Sequence, residues 1–221
     1  LCEVLVNFWH AHFNVMATDF SAGPVFAHYD RDVIRANATG NFRTMLEAVA
    51  KSTSMLYYLD NLNNSRSGPN ENYARELLEL HTFGAENYMG FMDPFAVPPC
   101  PEDPSYPIGY TDIDVYETSA AFTGWSAKTG HWQFPTENDG TFSYHQSWHD
   151  AGPKFLLGML IYPEQPALKD GQDVLDRLAS HPYTGAATFK RYMGAERTVT
   201  LGKRQFRPEE LSALVLRSLV G

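Results

Sequence analysis

The sequence has no apolar run approaching the ~18 residues that a membrane-spanning helix requires, so membrane insertion is not expected. It is short of positive charge: 17 Lys and Arg stand against 26 Asp and Glu, a net charge of -9. A phosphate-binding surface needs the opposite balance, which argues against nucleic acid as a partner. Two cysteines, Cys2 and Cys100, are too few for a disulfide scaffold. No Cys-x-x-Cys pair occurs, and no Gly-x-Ser-x-Gly elbow for a serine nucleophile. Leu1 comes after neither Met nor a basic leader, so a signal peptide is not expected in this stretch. Its helical pattern begins at once, and the domain is expected to be truncated at its start.

What is present is enough apolar mass for a core. The 221 residues are 43% hydrophobic and 14% aromatic. A chain of this length can bury about 70% of its unfolded surface. The patterning predicts a mainly α fold, an irregular helical domain with long aromatic-rich and Pro-rich loops. Residues 1–14 have helical period, with Leu5, Val6, Trp9 and Phe13 on one face. Asp30–Ala38 and Gly171–Ala179 read as short helices. Asn41 can cap a helix through Met45, Leu46 and Val49. Asn70–Phe83 is the strongest helical stretch, rich in Ala, Leu, Glu and Arg, and Gly84 is a natural stop. Asp93–Gly109 carries six prolines and reads as an exposed extended loop. Thr111 can cap a helix running to about Phe122. Residues 124–150 show no clear period and read as ordered loop packed by Trp125, Trp132, Phe134, Phe142 and Trp148.

Composition changes near His181-Pro182. Residues 182–221 carry 7 Lys and Arg against 3 Asp and Glu, whereas the preceding part is strongly acidic. The residues around Gly202 read as a β-hairpin, and Arg207-Pro208-Glu209-Glu210 as the opening of a helix. The expected organisation is a helical domain over 1–180 and a separate piece over 181–221.

Several segments carry a resemblance. They are Phe8-Trp9-His10-Ala11-His12-Phe13, Tyr58-Leu59-Asp60-Asn61 and Asn70 through Thr82. Tyr110-Thr111, Phe122-Thr123-Gly124-Trp125 and His149-Asp150-Ala151-Gly152-Pro153-Lys154 follow in order. Together they resemble the bacterial domain-of-unknown-function family 1800 over about residues 1–180. The resemblance implies a mainly helical protein that is exported or periplasmic, and it implies no particular reaction. Many members carry Asn where this chain has Ala11, and an Arg where it has Ala120. The tail resembles part of the nucleotide-binding domain of DnaK-type (HscC-like) heat-shock chaperones. That resemblance implies a role for Lys190 in ATP hydrolysis. A lone lysine cannot supply it without phosphate-cradling loops and anchored magnesium, so ATPase activity is not expected. The two resemblances imply a chimeric chain.

Three groups of residues could carry chemistry. His10 and His12 lie about 200° apart on a helix, so a metal site would use one of them with ligands from elsewhere. His81 points with the apolar face of its helix, whereas Glu76 lies about 140° away and is not expected to converge with it. Arg75 and Glu79 are spaced to pair. His149, Asp150 and Lys154 gather an imidazole, an acid and a base within six residues. The candidate metal ligands are His10, His12 and His81. The candidate catalytic residues are Glu76, His81, His149, Asp150 and Lys154. Against these stand plainer readings, in which the histidines are core or solvated, the helix charges are solvated, and Asp150 shapes a turn beside an exposed Lys154. Three functions remain open: a metal-dependent enzyme or metalloprotein with a His/Glu/Asp cleft and a divalent cation, a binding or scaffold protein for a small molecule or protein, and an inactive fusion.

Overall fold

The computed structural model describes residues 2–184 and the backbone of residues 199–201 and 204–206. Lys190 and the helix expected from Arg207 lie outside the described residues. About half of the described chain is helical, and its strands are three residues long. No helix among the described residues is long and apolar enough to cross a membrane.

Helix α1 (Cys2–His12) buries Val6 and sets Trp9 against the core. After it come a short α2 (Phe26–His28) and a π-helical segment, Tyr29–Arg35, which overlaps the helix expected over Asp30–Ala38. Asn41 caps α3 (Phe42–Lys51) through its side chain, as its residue type suggests. Ser52 ends α3 and caps α4 (Thr53–Tyr58). The strongest sequence helix divides into α5 (Glu71–Glu76) and a second π-helical segment, Leu77–Thr82. Thr111 and Asp114 form a reciprocal capping box at the start of α6 (Asp112–Ala121), each side chain satisfying a backbone N–H of the other. Helix α7 (Lys169–Ser180) buries Val174, Leu175 and Leu178.

One antiparallel pair, β1 (Trp125–Ala127) with β2 (Phe142–Tyr144), interrupts the region without period, and a second, β3 (Lys154–Leu156) with β4 (Met159–Ile161), follows it. Strands this short are set by their surroundings rather than by alternation, which explains their weak sequence signal. The backbone of β5 (Val199–Leu201) pairs with β6 (Arg204–Phe206). The Pro-rich segment is less exposed than its composition suggests. Pro99 and Pro107 bridge, and Cys100 is fully buried between them.

One apolar cluster joins α1, α3, α5, α6 and α7, with Trp125, Tyr29 and Tyr73 among its largest buried side chains. Burying side chains of this size contributes about 1.5–3 kcal/mol each. Of the five aromatics expected to pack residues 124–150, Trp125 is fully buried and Trp132 stands out, 79% exposed. Gly171 sits against the Trp125 ring, where a Cβ would come within 2.6 Å of Cζ2.

Candidate functional site

Helix winding decides which of the predicted residues meet. With α-helical period Glu76 and His81 diverge, but the chain here is π-helical. The Phe83 amide donates to the Leu78 carbonyl, five residues back, at 2.8 Å. Hydrogen bonds of this i to i+5 type bring residues five apart onto nearly the same side of the helix. Glu76 and His81 accordingly line one cavity of about 530 Å³, together with Ala11, His12, Asn14 and Tyr58. The expected divergence is thus corrected by local π-winding, which pattern counting at 100° per residue cannot detect. Helix α1 brings His12 to the same cavity.

The two histidines are held neutral by burial. The His12 ring donates from Nε2 to the His81 carbonyl at 2.9 Å. That bond assigns the hydrogen to Nε2 and leaves Nδ1 as an acceptor in the neutral ring. Burial lowers the His12 pKa, against an opposing effect of this hydrogen bond. Burial lowers the His81 pKa to about 3, with a small contribution from His12. His81 is 3% exposed and packs edge-on against Phe13, with ring centroids 5.1 Å apart. Its Nδ1 is buried without a hydrogen-bond partner among the described residues. Buried polar atoms are almost always satisfied, so this orphan calls for an explanation. Glu76 is half-buried, and its pKa is raised by burial and by Glu79, with Arg75 opposing. The expected Arg75–Glu79 pair does not form. Arg75 instead contacts Glu71 at 3.2 Å and Asp112 at 3.1 Å, so it does not neutralise Glu76.

His10 stands apart from this cavity. It contacts Asp30 at 2.7 Å and stacks on Phe26. Asp30 in turn accepts from Arg35, which also pairs with Glu3. Among the described residues, no group of three His, Cys, Asp or Glu side chains is placed to hold a metal ion.

The third predicted group forms a different kind of cluster. Lys154 is 2% exposed rather than solvated. Its ammonium donates to the Asp150 carbonyl, to the Gly152 carbonyl at 2.9 Å and to Asp170 Oδ2 at 2.8 Å. Three donors meet three acceptors, which is full satisfaction for a lysine. His149 donates from Nδ1 to the Thr123 carbonyl at 2.9 Å, and its Nε2 lies 3.3 Å from Asp170 Oδ2. Burial works against the Asp170 carboxylate, but His149 and Lys154 together hold its pKa below the usual range. Asp150 is more open and its carboxylate caps the Gly152 amide at 2.8 Å. Sequence reading missed Asp170, whose partners lie 16 and 21 residues away with no local pattern to connect them.

The family model described as "Protein of unknown function (DUF1800)" matches residues 1–191. No curated protein and no solved structure matched the chain. The match covers most of the sequence and takes in every candidate residue named above, so the chain belongs to the DUF1800 family.

Proposed function

We propose that the cavity lined by His12, Glu76 and His81 is the working site, and that it moves a proton on a small polar organic molecule. The observation that carries this reading is a buried histidine, with an unpartnered Nδ1 and a pKa that burial lowers to about 3, lining one cavity together with a half-buried carboxyl group. A neutral imidazole held far below its ordinary pKa is a weak base at neutral pH and acts as a hydrogen-bond partner, whereas a carboxyl group with a raised pKa can give up and retake a proton. The cavity volume of about 530 Å³ suits a small ligand. Glu76 is the proton-transfer group in this reading, His81 orients the bound molecule by hydrogen bonding, and His12 positions His81 through its backbone. No metal is required for these roles.

The test is side-chain NMR of histidine-labelled protein against a panel of small alcohols, amines and carboxylic acids. The expected result is that some probes shift the His12 and His81 resonances, and that His81→Leu abolishes the shift. Probes that bind without moving either histidine would contradict the reading.

A further inference from the structure

A second recessed surface lies at the aromatic loop, apart from the histidine cavity. Trp132, 79% exposed, lines a cavity of about 700 Å³ with Trp148 and His131. The aromatic wall is pre-set rather than loose. Trp148 donates from Nε1 to Gln133 Oε1 at 2.9 Å, and its ring meets His131 edge-on with centroids 5.0 Å apart. The opposite wall is made of small polar groups. Ser65 and Ser67 bond each other at 2.9 Å, and the Arg66 guanidinium has no ion pair among the described residues. Arg66 and Ser67 also line a neighbouring cavity of about 750 Å³ that contains Asp150 and Glu164. The two recesses therefore share a wall at Arg66 and Ser67, and together they are termed the groove.

An exposed indole face beside hydroxyls, an amide and an unpaired guanidinium matches one ligand chemistry well. A sugar ring offers an apolar C–H face to an aromatic and a rim of hydroxyls to polar groups. Two recesses that share one wall can take successive sugar units, and the chain's charge of -9 opposes polyanions. We propose that this groove binds a neutral glycan chain, with Trp132 as the stacking platform and Arg66 and Ser67 at the junction between successive sugar units.

The test is calorimetric titration of the full chain with cellohexaose, laminarihexaose and chitohexaose, alongside their disaccharides. Saturable binding of at least one hexasaccharide is expected, with its disaccharide markedly weaker. Trp132→Ala should weaken binding roughly tenfold or more, since central aromatic contacts dominate such interfaces. Ser67→Trp, which blocks the junction, should reduce hexasaccharide affinity towards that of the disaccharide. Near-UV circular dichroism checks that both variants remain folded. Absence of binding by all three hexasaccharides would overturn the proposal, and so would affinity unchanged in both variants.

Discussion

The two buried histidine clusters of this protein differ in how their ionisable groups are compensated. Around Lys154, each ammonium hydrogen has an acceptor, and Asp170 meets Lys154 and His149 through Oδ2, although its Oδ1 has no partner among the described residues. Around His81, the ring is as deeply buried, yet Nδ1 has no partner and Glu76 no neutralising cation among the described residues. The Lys154–Asp170 ion pair fixes a loop to a helix, here the 149–154 segment to the start of α7. The His81 nitrogen, with no charge partner beside it, carries an unmet cost that a ligand can relieve. The first cluster is ion-paired and the second is the proposed working site, although the sequence presents both as similar sets of His, acid and base.

The sharpest way to break this contrast is Lys154→Met. It leaves the Asp170 carboxylate buried without its main cation and should cost about 3–5 kcal/mol. In a chain of this size that lowers the melting temperature on the order of 10 °C. A shift of only a degree or two in a thermal melt would deny the network its structural role. Gly171→Ala follows, because the added methyl meets the Trp125 ring beside Asp170. Overpacking of this kind should cost about 1–3 kcal/mol, read by denaturant midpoint.

Acid sensitivity sharpens the other side. His81 has a folded pKa of about 3, below its ordinary value, so between these values the unfolded chain binds more protons than the folded one. Stability should therefore be complete above about pH 6.5 and fall as the pH drops towards 3, with a slope up to about 1.4 kcal/mol per pH unit from this group. His81→Leu should flatten that slope when unfolding is followed at pH 4 to 7. At pH 7 the same substitution should change stability by less than about 1 kcal/mol, or raise it, because it removes an unsatisfied buried nitrogen. It retains the backbone carbonyl that His12 uses. A loss as large as that of Lys154→Met would erase the distinction between the clusters.

Much of the framework was legible from local chemistry. Asn41, Asn70 and Thr111 cap the helices they precede, and the short helix expected over Gly171–Ala179 lies within α7. These signals act within one turn, so residue type reveals them. The candidate site was only half legible. His12 and His81 could be singled out, but their meeting with Glu76 depends on π-winding that residue spacing does not encode. Lys154 looked solvent-exposed because its partner Asp170 comes from a separate helix. The three-residue strands β1 to β4 gave no alternation long enough to recognise.

The central claim is that burial keeps His81 neutral where it lines the cavity beside Glu76. The most direct measurement is a nitrogen NMR titration of the His12 and His81 rings from pH 8 to 4. The account predicts that His81 stays neutral down to at least about pH 4, with His12 titrating below the ordinary histidine range. Titration of His81 near pH 6.5 would show a solvated, ordinary imidazole and would contradict the account.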